Sequence, residues 1–361
     1  MPTVKVKTKT RKRAAQPRTD KHHWTRKFSD RPSVWSPYVE GVTQSMLKAW
    51  RSCPETARLA YVEGFSPIAT TMALEFGTCF HWCLGEIYKK PSLRYNKLRE
   101  LYKDYEKVWF GERPSRMVTK KDRELLEQVI GLVATVLPIY LEVWEGDFKP
   151  NARVKDIVSP DAWVGLEQHF KVPFEIDGVA IPLQGKWDGV FKDSKGDLWL
   201  FETKTKAYID DDLIGETLQY DLQVMLYLTA VELHFSKFPK GVVYNVVRRP
   251  GHRQSKTESL ADFHFRVQKD VADPSRWDHY FKRWQMRIST KELVAWQETV
   301  LRPLLRALKH WWDTGENHWL NDDALVTKYG RSNYYDLLVH QTNTGFYRRK
   351  VAFNELEDFQ S

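Results

Sequence analysis

The chain is poor in cysteine: Cys53, Cys79 and Cys83 are the only three in 361 residues. An odd, small number of thiols excludes a disulfide framework and points to a reducing, cytoplasmic compartment. No uninterrupted run of about 18 apolar residues occurs, so no membrane span is expected. The basic N-terminus lacks the apolar stretch of a secretory leader. No Gly-x-x-x-x-Gly-Lys-Ser/Thr segment is present, which excludes a visible nucleotide-driven motor; any helicase coupling would need a partner. What the chain has is 42% hydrophobic residues with a mean hydropathy of −0.56, the composition of a folded, water-soluble protein.

Net charge is +9, and residues 1–31 account for all of it, with eleven Lys and Arg against Asp20 and Asp30. Residues 1–33 show little apolar periodicity and cannot bury enough surface to offset their ordering entropy. They are expected to form a disordered basic tail that meets phosphate backbone through counterion release, or serves as a solubilising or recruitment tail. The remainder, 34–361, is expected to be one domain in three parts.

Residues 34–150 read as helical. Thr43 to Trp50 has Thr43 as N-cap, Pro54 suits the first turn of a second helix, and Glu75–Tyr88 and Lys97–Phe110 follow. Lys120–Glu145 is a long helix interrupted near Pro138. Over 160–250 the pattern changes to a sheet: Glu167–Phe174, Ala180–Phe191, Leu198–Lys204 and Gly241–Arg248 read as strands, with Asp211–Phe235 as a crossover helix. The C-terminal part, 270–361, returns to helix over 275–313.

The chemistry-bearing stretch is Gly185-Lys-Trp-Asp188, followed by Phe201-Glu202-Thr203-Lys204. Alternation puts Glu202 and Lys204 on one strand face above Leu198 and Leu200. Two carboxylates and an ammonium at the end of a hairpin need compensation, and hard oxygen ligands suit Mg²⁺ or Mn²⁺. A Lys204 beside a cation should have a depressed pKa.

Four motifs in order carry a family resemblance. They are the Ser45–Pro54 segment with its Cys53-Pro54 pair, Gly77-x-x-x-His81, Asp188 with Glu202-Thr-Lys204, and Gln223-x-x-x-Tyr227. Together they resemble the PD-(D/E)XK nuclease superfamily, in the branch of RecB-type nucleases, Cas4-like exonucleases and their phage relatives. The resemblance implies a restriction-endonuclease-like core, a mixed sheet flanked by helices. It implies His81, Asp188, Glu202 and the Thr203 carbonyl as metal ligands, with Lys204 orienting the attacking water. Gln223 and Tyr227 would contact the scissile strand, brace Lys204, or simply pack. A lone His81 on an apolar helix is ordinarily a core residue; its place in the motif order marks it as a ligand. Glu167 reads as structural or supporting.

Many relatives hold an iron–sulfur cluster with one early and three late cysteines. Here Cys53 has no late partners, so no cluster is expected. Tyr329, Tyr334, Tyr335 and Leu337 should pack where the thiols would be. Arg248–Arg253, and a helix carrying Trp277, Tyr280, Lys282, Arg283, Trp284 and Arg287, would stack and hold single-stranded DNA or form an ordinary amphipathic face. The expected function is a DNA exonuclease acting on ends or single strands in phage-type replication or recombination, with a separate helicase or recombination protein as possible partner. The alternative is a catalytically silent DNA-binding or assembly subunit on the same fold. Oligomeric state and cleavage polarity are not encoded in the motifs.

Overall fold

The computed structural model describes residues 33–111, 118–149, 158, 160–315, 320–327, 330–353 and 356. The basic arm, Ser33 apart, and Tyr329 lie outside the described residues. The front of the chain forms α1 (Gln44–Ser52), α2 (Pro54–Ala57), β1 (Phe65–Pro67), α3 (Met72–Lys89), α4 (Leu98–Gly111) and α5 (Lys120–Val143). Side chains answer the unpaired amides at the helix starts. Thr43 accepts from the Met46 amide, Thr71 from that of Leu74, and Thr119 with Asp122 forms a reciprocal capping box.

A mixed five-stranded sheet follows, in the order β2 (Ala162–Ile176), β3 (Val179–Lys192), β4 (Leu198–Lys206), β5 (Gly241–Arg248), β6 (Phe281–Arg287). β4 and β5 are parallel and the other neighbours antiparallel. The crossover that makes them parallel contains α6 (Asp211–Thr217) and α7 (Leu222–Phe235). Then come α8 (Leu260–Ala272), α9 (Trp277–Tyr280), α10 (Thr290–Trp296), α11 (Arg302–Thr314), β7 (Val326–Thr327), β8 (Gly330–Arg331), α12 (Tyr335–Val339) and β9 (Phe346–Arg348). β9 pairs with β1, so the end of the chain returns to the front helices.

Side-chain alternation along β4 and β5 divides the interior in two. Leu198, Leu200, Val242 and Val246 pack with apolar residues of α1, α7, α10 and α11. Trp199, Phe201, Val243 and Val247 pack with those of α3, α4, α5 and α8 on the other face. The α/β architecture is the one expected.

Local expectations were overturned in four places. α5 runs unbroken through Pro138. The ring removes one ladder bond, but Val133, Val136, Leu137 and Tyr140 are fully buried around it and packing holds the helix together. α5 is also long and apolar enough to cross a membrane by length and composition, although no unbroken apolar run announced it. Those apolar residues are core residues against α3 and α8.

The expected single helix Asp211–Phe235 is two, because the Asp221 carboxylate accepts the amides of Gln223 and Val224 and starts a new N-terminus. Residues 281–287 are a strand, since β5 offers a complementary edge along Gly241↔Arg287 to Val247↔Phe281. α8, in the stretch between the expected sheet and C-terminal parts, had not been anticipated. Tyr334, Tyr335 and Leu337 pack on Leu59, Phe65, Leu325 and Leu338.

Candidate active site

β3 and β4 pair from Lys192↔Leu198 to Gly189↔Phe201 and no further. Asp188 and Glu202 are the first residues beyond that fork. Backbone groups released there need other partners, and the Thr203 amide donates to Asp188 Oδ2 at 2.6 Å. In a strand a residue's own amide and carbonyl project toward the same edge, so the Thr203 carbonyl also faces the fork. Asp188 Oδ1 lies 3.2 Å from His81 Nδ1 on α3.

α3 approaches the sheet closely because glycines flank His81 by one turn on either side. A Cβ at Gly77 would lie 2.8 Å from Thr205 Oγ1, and one at Gly85 would lie 2.5 Å from Glu167 Cγ. Glu167 stands opposite Asp188 between the pairs Leu166↔Gly189 and Gln168↔Trp187. Its φ of 47° puts a non-glycine residue in the left-handed region within a strand, a strained arrangement of the kind that aims side chains at sites. His81, Glu167 and Asp188 each offer one donor atom, all within 4.8 Å of one another. Lys186 Nζ contacts Glu167 Oε2 at 2.5 Å.

Glu202 faces α7. Its Oε1 accepts from Lys204 Nζ at 2.6 Å and from Gln223 Nε2 at 2.7 Å, while Gln223 Oε1 accepts from Lys204 at 2.7 Å. Glu202 Oε2 is buried with no hydrogen-bond partner. Tyr227, one turn after Gln223 on α7, is buried beside Gly185, where a Cβ would stand 3.0 Å from its ring. A cavity of about 780 Å³ reaches this centre, lined among others by Thr43, Gln44, His81, Glu167, Lys186 and Tyr227.

Burial pushes the Glu202 carboxyl up to about 7 against the pull of Lys204, with Asp188 adding to the rise. Burial also raises Glu167, helped by Asp188. Asp188 is the exception: burial favours its neutral form, but His81, Lys204 and the Thr203 amide hold it below the usual carboxylate range. Burial works to lower His81, yet Asp188 keeps it above its ordinary value. Burial works to lower Lys204, but Glu202 and Asp188 outweigh it, so Lys204 is raised rather than depressed.

The donor set fits a hard divalent cation. It offers two carboxylates and an imidazole in one group, and a further carboxylate whose inner oxygen lacks a partner. Of the seven residues singled out in the sequence, His81 and Tyr227 line the cavity, and His81, Asp188, Glu202, Thr203, Lys204 and Gln223 are joined by contacts around the fork. Lys186 and Gly85, four residues after His81, had not been read as part of the centre, and Glu167 had been read only as structural or supporting; the second glycine was the available signal. The expected base-and-aromatic helix is instead the short α9, with Trp277 and Tyr280, followed by strand β6. Arg283 is buried inside, Lys282 pairs with Asp211, and Arg287 lies 5.3 Å over the Trp199 ring.

An α/β sheet that forks over an acidic centre, with a lysine two residues beyond the second acid, defines a nuclease-like fold. The family model of the PD-(D/E)XK nuclease superfamily matches residues 42–303, and the chain belongs to that superfamily. Its members typically use divalent metals. No curated protein matches the sequence. The solved structure described as "Crystal structure of SSO0001" aligns at 15% identity and a TM-score of 0.21, over 63% of this chain and 84% of that one.

Proposed function

We propose that this chain is a Mg²⁺- or Mn²⁺-dependent deoxyribonuclease of the RecB/Cas4-like exonuclease branch. It hydrolyses phosphodiester bonds at DNA ends or in single strands during phage-type replication or recombination, in the host cytoplasm. His81, Asp188, Glu202 and the Thr203 carbonyl hold the cation, with Glu167 beside them. When bound, the cation compensates phosphate charge and acidifies a water. Lys204 orients the attacking water and steadies charge on the phosphate oxygen. Gln223 fixes Lys204, and Tyr227 closes the wall behind it.

The observation that carries this reading is the Lys204 ammonium bridging Glu202 and Gln223 immediately beside a three-donor acidic group. Exposed Tyr208, with Arg248 over its ring, offers a stacking and phosphate contact for the strand.

The test is digestion of end-labelled linear and closed circular DNA, single- and double-stranded, with Mg²⁺, Mn²⁺ or EDTA, for wild type, Glu202→Ala and Lys204→Ala. Metal-dependent loss of linear DNA, abolished in both variants, is the expected result, and the label position gives polarity. Nicking of circles reassigns the chain as an endonuclease. No cleavage with retained DNA binding leaves the silent subunit.

A further inference from the structure

Directly behind Thr203, on the face of β4 turned away from Lys204, lies a buried polar network that the nuclease reading does not use. Arg283 on β6 makes a bidentate pair with Asp147, which follows α5, at 2.7 and 2.6 Å, and both side chains are at most 2% exposed. Arg283 Nε donates to Asn245 Oδ1 at 3.0 Å, which fixes the amide so that Asn245 Nδ2 donates to Tyr140 at 2.9 Å and to Thr203 Oγ1 at 3.1 Å. Tyr140 also accepts from Arg283 Nη2 at 2.9 Å. With two donors already pointing at it, the Tyr140 hydroxyl gives its own proton to Tyr88, 3.2 Å away, and Tyr88 donates to Asp147 at 2.5 Å. The ring of donors and acceptors closes on itself.

Two residues of this network lie on the elements that carry the candidate metal centre. Thr203 carries the amide that holds Asp188 and is opposite Asn245 in the parallel ladder. Tyr88 lies on α3 seven residues after His81, two turns along the same face. The ring therefore spans the two elements, α3 and β4, that must stand at a fixed distance for His81 and the fork to share one ion. An apolar core would stabilise this region as well as a buried ion pair does. What a fully satisfied polar network adds is a single arrangement.

We propose that Arg283, Asp147, Asn245, Tyr140 and Tyr88 form the positioning frame of the metal centre, setting α3 against β4 through Tyr88 and Thr203. The inference rests on the metal-centre reading above. It is tested by Mn²⁺ binding to the full chain without DNA, followed by calorimetry, with thermal unfolding in EDTA run alongside.

Tyr88→Phe and Asn245→Leu are expected to weaken Mn²⁺ binding roughly tenfold or more, the range typical of partners that orient metal ligands. Thr203→Val, which removes the hydroxyl that accepts from Asn245, is expected to do the same. Folded variants that bind Mn²⁺ as wild type does would overturn the frame and leave the metal centre standing. A wild-type chain that binds no Mn²⁺ would overturn both. Should Asn245→Leu fail to fold, Tyr88→Phe and Thr203→Val decide the matter.

Discussion

The side chain of Glu167 occupies the space that a Cβ on Gly85 would fill, 2.5 Å from Cγ and 2.9 Å from Cδ. A helix glycine has thus been matched to a strand glutamate whose backbone is itself left-handed. Gly85→Ala should displace Glu167 and destabilise the fold by about 1–3 kcal/mol, despite alanine's higher helix propensity. Gly77→Ala meets only the Thr205 hydroxyl and should be milder. Thermal unfolding of both variants, with Mn²⁺ affinity measured on each, checks the order.

The high Glu202 pKa makes cation binding a protonic event. Below about 7 the metal-free carboxyl is neutral, whereas a ligand to a cation must be ionised. Calorimetry in buffers of different ionisation enthalpy should show a proton released on binding near about pH 6 and little from this group near about pH 8.5. The folded pKa lies above the unfolded one. Glu202 therefore adds stability below its unfolded pKa, and this is lost as pH rises through about 7. Glu202→Gln should flatten that slope in EDTA; an unchanged slope would assign it to another group.

Lys204 donates to Glu202 Oε1, so in the proposed reaction it would compete with the cation for that oxygen while orienting the attacking water. Lys204→Met should lower cleavage by about 10²–10⁴, the range for a positioned proton-handling group, and leave Mn²⁺ binding equal or tighter. A parallel loss of metal affinity would show that Lys204 acts by holding the centre together.

Breaking the Arg283–Asp147 pair strands a buried charge. Arg283→Met should cost about 3–5 kcal/mol in stability. Arg306 and Asp177 make an equally short pair at the surface, 2.7 Å, where solvent screens it, and Arg306→Ala should leave the unfolding midpoint almost unchanged. Denaturant titration of the two variants compares them directly.

The sequence was most legible where chemistry and period coincide. Glu202 and Lys204 fall two apart on a strand, Gln223 and Tyr227 four apart on a helix, and His81 four after a glycine; each spacing survives into the fold. Residues governed by partners distant in sequence were not legible. Arg283 reads as a surface base until Asp147, 136 residues away, is seen to meet it. Pro138 reads as a helix breaker until the buried residues around it are counted as part of its energetics. Glu167 looks like an ordinary strand-opening acid because a positive φ leaves no trace in composition.

β4 is read in three directions at once. Glu202 and Lys204 face α7, Thr203 turns its hydroxyl to the network on the opposite side, and the Thr203 amide lies in the plane between them. A slip of one residue along β5 would exchange the two faces and put a threonine where the lysine stands. The reactivity of this centre is therefore a matter of alignment. Eight consecutive rungs, from Trp199↔Gly241 to Lys206↔Arg248, hold β4 in phase with its neighbour. Gly241 belongs to that indexing: with φ of 155° and the Met286 carbonyl 1.9 Å from where a Cβ would be, it is the stop against which the strand is set.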